Sequence, residues 1–165
     1  MPGVYMSLDE VRRGPVAAAL SLLPDRMASP EAEVMMLAIG LQESRFEHRH
    51  QIGGPAHGWW QFELGGGVRG VLTHASSRDY ARGLCAARGV PPSASAAFAA
   101  LEHDDILAAG FARLLLWTDL RPLPAIGDVK AAWQYYLRNW RPGKPHEKTW
   151  APLYAEAMEE VGHVH

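Results

Sequence analysis

The sequence contains one cysteine, Cys85, among 165 residues, which excludes an internal disulfide and removes any requirement for an oxidising compartment. Its neighbours are apolar, so this thiol is expected to be a small buried side chain rather than a nucleophile. The sequence also lacks an apolar run of the roughly 18 residues that a membrane-spanning helix requires. The N-terminal residues show no signal-peptide pattern, which predicts synthesis in a host cytoplasm and delivery by other means if the protein acts outside.

An excess of charge of either sign is missing as well. The formal net charge is −2, and the lysines and arginines are scattered along the chain. Neither nucleic-acid binding nor a polybasic membrane contact is therefore predicted. The composition, 48% hydrophobic and 21% charged, is that of an ordinary globular protein. Because repeats, low-complexity tracts and linkers are also missing, residues 1–165 are expected to form one domain.

Local signals predict a mainly helical fold. Ser29-Pro30-Glu31 combines an N-cap, a first-turn proline and an acid, and it begins a helix over Pro30–Ser44. This helix is apolar on most sides and is expected to be buried. Gly14-Pro15 is expected to interrupt an opening helix that Ser7 and Glu10 cap. Other predicted elements are a brief strand over Trp59–Leu64 and helices over Ser77–Arg88, from Ser93 or Ser95 to about Leu101, His103–Leu120, from Asp128 to Trp140, and His146–Val161.

One carboxylate stands out at the end of the apolar helix. Glu43 lies where the helix dipole is negative and among apolar neighbours, and both effects raise the pKa of a carboxyl group. A carboxylic acid still protonated near neutral pH is suited to general acid catalysis. The alternative is a solvated residue paired with Arg45 or Arg49. Fifteen residues later a glycine opens the aromatic run Gly-Trp-Trp-Gln, which favours the catalytic interpretation.

These motifs resemble the soluble lytic transglycosylase family, whose relatives include goose-type lysozymes and phage murein lysins. Family members carry Glu-Ser at a helix end, then Gly-Leu-Met-Gln, and later Ala-Tyr-Asn. Glu43-Ser44 matches the first motif, and Gly58-Trp59-Trp60-Gln61 matches the second with Trp-Trp in place of Leu-Met. Ala132-Trp133-Gln134 is the candidate for the third. The likeness spans about Pro30 to Trp140.

The resemblance implies a lysozyme-like α+β fold, in which a helical bundle surrounds a central buried helix beside a small loop or hairpin lobe. It implies that Glu43 cleaves the peptidoglycan glycan strand between N-acetylmuramic acid and N-acetylglucosamine. The product is a 1,6-anhydro sugar or, if water attacks, the hydrolysis product of a muramidase. The substrate's N-acetyl group assists, so neither a second carboxylate nor a cofactor is required.

The resemblance also implies roles for other residues. Ser44 would orient the acetamide or the acid, and Gln61 would hydrogen-bond the sugar. At least one of Trp59, Trp60 and Trp133 is expected to line the saccharide groove, with Trp117 and Trp150 in the core. Further substrate-binding candidates are Gly58, Gln134 and, in preference to its neighbour Tyr136, Tyr135.

Several interpretations stay open at this stage. A second acid would favour hydrolysis, although Glu102–Asp105 also suits a helix N-terminus. The basic segment Arg138–Pro145 either ends a helix or contacts the acidic stem peptide or muramyl lactate. The loop histidines are expected to be solvated rather than to bind metal. Glu63 is a further candidate for the second acid. The basic side chains of the segment are Arg138, Arg141 and Lys144, and the loop histidines are His48, His50, His57 and His74.

The missing signal peptide and the small size predict a phage lysin or a virion-associated murein enzyme, with other virion or lysis proteins as possible partners. Such a protein would act at the cell wall after release or from the virion. The rival from another class is a non-catalytic cell-wall-binding or structural virion protein.

Overall fold

The computed structural model describes residues 6–162 and is mainly helical. Between the α-helices of the described residues lie a π-helical turn, Arg12–Val16, a 3-10 turn, Asp25–Met27, and the segment Leu64–Val68, whose helical backbone is broken at Gly66. The α-helices are α1 (Leu8–Val11), α2 (Ala17–Ser21), α3 (Pro30–Ser44), α4 (Arg69–Thr73), α5 (Arg78–Ala87), α6 (Ala94–Leu101), α7 (Asp105–Trp117), α8 (Val129–Trp140) and α9 (Glu147–Gly162). Across residues 6–162, no helix is long and apolar enough to cross a membrane.

Helix α3 is buried at the centre, as its composition predicts. The Ser29 hydroxyl accepts a hydrogen bond from the Ala32 amide at 3.1 Å, and Pro30 occupies the first helical position. The helix packs along α9 and also contacts α7. It ends after Ser44, where Arg45 adopts left-handed backbone angles with φ 58°. Its last turn therefore carries Glu43 to the edge of the core.

The opening helix does not break at Gly14-Pro15, contrary to the sequence prediction. The predicted capping box is present, since Ser7 and Glu10 bond each other's backbone amides at 3.1 Å. A π-helical turn over Arg12–Val16 then carries Pro15 inside the helix. The wider hydrogen-bonding pattern of such a turn accommodates a residue that has no amide hydrogen. The helix therefore continues into α2.

Residues 58–61 form a tight turn rather than the predicted strand over Trp59–Leu64. His57 and Phe62 exchange two backbone hydrogen bonds of 2.9 Å, which close the turn. Gly58 has φ +79°, and a Cβ atom at this position would lie 2.7 Å from the carbonyl oxygen of Leu101. A glycine is required here because both the backbone angles and the close approach exclude a side chain.

The remaining helix starts follow local capping chemistry. The side chain of Asp104 accepts from the Leu107 amide at 2.9 Å, so α7 begins at Asp105 rather than at His103. Ser93, rather than Ser95, caps α6. Asp128 caps α8 as predicted, through the Ala131 amide at 3.1 Å. These helices place α8 and the loop after it opposite the end of α3.

Candidate active site

Glu43 faces a cavity of about 870 Å³ between the end of α3, the turn after Gly58 and the end of α8. The Glu43 side chain is partly buried. Gln61 lines the same cavity, and so does Glu63, which follows it. Other lining residues include Gln42, His48, Gln51, His74, Tyr136, Arg138, Asn139, Trp140, Arg141, Lys144 and His146.

Burial raises the pKa of Glu43 to about 7. A hydrogen bond from Tyr136 acts in the opposite direction, and the nearby charge of Glu63 adds a smaller increase. A carboxyl group with this pKa is protonated in about half of the molecules at neutral pH. It can therefore give up a proton and take one back under the same conditions, as an acid/base catalyst must.

Tyr136, on α8, donates its hydroxyl hydrogen to Oε2 of Glu43. Its ring is stacked on Trp150 with the centroids 5.2 Å apart and the planes at 9°. Burial, with the adjacent Glu43 carboxyl, raises the pKa of Tyr136 well above its ordinary value, so the phenol remains a donor. Because this contact holds one carboxyl oxygen, the other oxygen is left for a ligand in the cavity.

Tyr135, which the sequence analysis preferred as a substrate-binding residue, does not line this cavity. Successive residues of a helix point about 100° apart, and here it is Tyr136 that faces Glu43. Tyr135 is buried on another side of α8, where its hydroxyl lies 3.0 Å from the carbonyl oxygen of Leu116. Gln134 is exposed and is not among the residues that line the cavity.

At least one of three tryptophans was expected at the groove, but all three are core residues. Trp59, Trp60 and Trp133 are 1%, 0% and 5% exposed, and none of them lines the cavity. The Trp60 indole donates to the carbonyl oxygen of Met36 at 2.8 Å, inside α3. The Trp60 carbonyl oxygen in turn accepts from the indole of Trp140 at 2.9 Å. Trp60 thus joins α3 to α8 from within the protein.

Trp140 is the only one of the six tryptophans that lines the cavity, where it joins two other aromatic side chains, Phe62 and Tyr136. Trp150 is in the core as predicted, at 1% exposure, whereas Trp117 is only partly buried. Tyr136, Asn139 and Trp140 have the i, i+3, i+4 spacing that aligns side chains on one helix face. That spacing was the signal in the sequence that could have identified this face.

Ser44 and Gly58 do not line the cavity and instead stabilise the local fold. Ser44 is 2% exposed and its hydroxyl donates to the carbonyl oxygen of Trp59 at 2.6 Å. The Ser44 hydroxyl oxygen in turn accepts from the Phe46 amide at 3.1 Å. A hydroxyl engaged in this way is not available to a substrate acetamide. Gln61 lies at the cavity as predicted, with its side-chain amide donating to the Gly58 carbonyl oxygen at 2.9 Å.

Among the other acids, Glu63 is the one that shares the cavity with Glu43. Asp104 and Asp105 lie at the start of α7, where they form ion pairs with Arg88 at 2.9 Å and Arg49 at 2.8 Å. Their positions agree with the helix-terminus interpretation rather than with a catalytic one.

Basic side chains from the end of α8 and the loop after it also line the cavity. Arg138, Arg141 and Lys144 are all among its lining residues. Arg138 also forms an ion pair of 3.1 Å with Asp119, which holds the guanidinium in place. The cavity therefore combines an acid of raised pKa with a cationic wall.

No family model, no curated protein and no solved structure matches the chain. The likeness to lytic transglycosylases consequently rests on the sequence motifs.

Proposed function

We propose that this protein cleaves the glycan strand of peptidoglycan between N-acetylmuramic acid and N-acetylglucosamine, with Glu43 as the acid and base. The observation that carries the proposal is the Glu43 carboxyl group, with a pKa of about 7, in a cavity large enough for sugar rings. The Glu-Ser and Gly-Trp-Trp-Gln motifs support the same assignment through their resemblance to the lytic transglycosylases.

In the proposed reaction, the protonated carboxyl of Glu43 gives its proton to the glycosidic oxygen. The bond between that oxygen and the muramic C1 then breaks, and its electron pair stays on the oxygen. The substrate's own N-acetyl group stabilises the positive charge that develops at C1. The Glu43 carboxylate then removes a proton from the muramic C6 hydroxyl, which closes the 1,6-anhydro ring. Tyr136 keeps the carboxyl oriented during both steps through its hydrogen bond.

Hydrolysis on the same site is the second candidate, and Glu63 favours it. Its carboxylate lies in the cavity, close enough for its charge to raise the pKa of Glu43. A second carboxylate can activate a water molecule, which then attacks in place of the C6 hydroxyl. The products distinguish the two reactions, because hydrolysis leaves reducing muramic acid ends.

The cationic wall fits the anionic parts of this substrate. Stem peptides carry carboxyl groups, as do muramyl lactate groups that bear no peptide, and arginine and lysine side chains bind such groups through charge-assisted hydrogen bonds. Arg138, Arg141 and Lys144 are the side chains proposed for this contact. They would align the strand so that a glycosidic oxygen faces Glu43.

The non-catalytic alternative, a cell-wall-binding or virion structural protein, gives no reason for an acid of raised pKa. Burying Glu43 destabilises its ionised form, and a binding surface would gain nothing from that cost. The raised pKa therefore favours the enzyme, since perturbed carboxyl groups cluster in catalytic sites.

Digestion of purified sacculi by the wild-type protein and by Glu43→Gln tests the proposal. Glutamine keeps the shape but cannot transfer a proton, so activity should fall by roughly 10²–10⁴. Glu47→Gln, at an exposed position four residues further on, is the matched control and should retain activity. Mass spectra of the products separate anhydro from reducing ends. Undiminished activity of Glu43→Gln would refute the assignment, and binding without products from any wall type would favour the non-catalytic alternative.

A further inference from the structure

A cluster of two histidines and one carboxylate lies outside the cavity. One potential ligand atom from each of His50, His57 and Glu102 lies within 4.8 Å of the other two. His50 Nδ1 is 2.6 Å from Oε1 of Glu102, and His57 Nε2 is 4.0 Å from the same oxygen. Imidazole nitrogen and carboxylate oxygen are ligands that zinc takes in proteins.

The backbone holds the three residues together. His50 and His57 face each other in an antiparallel bridge, with their ring centroids 5.0 Å apart. Glu102 directly follows α6, whose residue Phe98 stacks on the His57 ring at 3.8 Å and 8°. The cluster therefore joins the loop 47–57 to the junction between α6 and α7.

The tautomer of His57 is the one that a metal ligand needs. Its Nδ1 lies 2.9 Å from the carbonyl oxygen of Phe98, which can only accept, so Nδ1 carries the hydrogen. The lone pair of a neutral ring is then on Nε2, on the side of Glu102. Histidines that bind metal commonly donate their second N–H to a backbone carbonyl in this manner.

The two distances from Oε1 of Glu102 to the histidine nitrogens lie on either side of the ligand spacing in a zinc site. A tetrahedral zinc ion with bonds of about 2.1 Å keeps its ligand atoms about 3.4 Å apart. The separations of 2.6 Å and 4.0 Å differ from this value by less than 1 Å in opposite directions. Side-chain rotations are needed to bring all three ligand atoms, which lie within 4.8 Å of one another, to this spacing, and the exposure of His50 (57%) and Glu102 (25%) leaves these side chains room to rotate.

We propose that His50, His57 and Glu102 bind one Zn²⁺ ion, with water in the remaining position. His103 contacts the second carboxylate oxygen of Glu102 at 3.1 Å and orients it from the far side. The ion clamps the loop 47–57, which also carries His48 and Gln51 at the cavity. This inference concerns structure and does not depend on the proposed cleavage reaction.

Zinc titration of tag-free, chelator-treated full-length protein tests the site, with isothermal calorimetry and the Tm as readouts. The ligand variants are His50→Gln and Glu102→Gln, since His57 is packed on Phe98 and its replacement risks the fold. His48→Gln is the matched control. It belongs to the same loop and to the sequence pair His-x-His, but its side chain lines the cavity instead.

The expected result is one zinc ion per chain and a higher Tm with zinc than without. Both ligand variants should weaken binding by at least about tenfold, while His48→Gln leaves it unchanged. Circular dichroism of each zinc-free variant confirms that loss of binding is not loss of the fold. Failure of the wild-type protein to bind zinc at one ion per chain would overturn the proposal. Equal affinity of the ligand variants and the wild type, or loss of binding in His48→Gln, would also do so.

Discussion

Replacing Glu43 by glutamine should stabilise the protein at alkaline pH, whether or not the site performs a reaction. Burial raises the pKa of this carboxyl from 4.5 to about 7, so the folded state holds the proton more tightly than the unfolded state. The wild-type protein therefore loses stability as the pH rises from about 4.5 through 7. Glutamine is neutral throughout, and its amide oxygen can still accept the hydrogen bond from Tyr136.

The size of the effect follows from the same two values. The difference between 4.5 and about 7 corresponds to roughly 3 kcal/mol, reached only when the folded-state carboxyl is fully ionised. Glu43→Gln should thus match the wild type at about pH 4.5, apart from a constant offset, and exceed it by up to about 3 kcal/mol above pH 8. For a protein of this length that is a Tm increase of roughly 6–12 °C.

Urea unfolding followed by tryptophan fluorescence, repeated across this pH range, measures the difference. Glu47→Gln serves as the control, because a substitution at an exposed position usually changes stability by less than about 0.5 kcal/mol. A difference between wild type and Glu43→Gln that does not change with pH would refute the burial argument. The catalytic proposal would then lose its main physical support.

Three other substitutions test separate parts of the site. Tyr136→Phe removes the donor that lowers the pKa of Glu43, so an NMR titration should find this pKa above about 7, and an unchanged value would exclude the contact. Ser44→Ala should cost about 1–3 kcal/mol in urea unfolding and leave lytic activity per folded molecule unchanged, whereas activity lost without stability would restore the substrate role. Gly58→Ala combines positive φ with a clash, so its unfolding free energy should fall by about 1–3 kcal/mol more than that of Gly53→Ala, which has positive φ and open space. Equal losses of unfolding free energy in Gly58→Ala and Gly53→Ala would contradict the predicted cost of the clash.

The parts of the fold that sequence reasoning predicted are those set by neighbouring residues. Ser29, Asp128 and the Ser7–Glu10 pair cap helices through groups three residues away, so their chemistry is visible in a short window. The position of Glu43 at the end of a buried helix followed from the same local signals.

The parts that sequence reasoning missed depend on distant contacts. Whether Tyr135 or Tyr136 faces Glu43 is decided by the rotation of α8 about its axis, which its packing against α9 and Trp150 fixes. Trp59 and Trp60 are equally suited to a core and to a sugar groove, and only the closed turn at Gly58 directs them inward. The resemblance assigned these indoles to the groove from their positions in the motif. In the structure, Trp140 is the tryptophan that lines the cavity.

Trp60 links the helix that carries Glu43 to the helix that carries Tyr136 through two hydrogen bonds, one from its indole and one to its backbone carbonyl oxygen. The spacing of Glu43 and Tyr136 therefore depends in part on the Trp60 indole, which lies outside the cavity. A smaller residue at this position would lose the indole bond to Met36 but keep the backbone bond to Trp140, and a shift of α3 against α8 would then change the pKa of the Glu43 carboxyl. Substitutions in the core can thus change the pKa of Glu43 while every residue that lines the cavity stays the same.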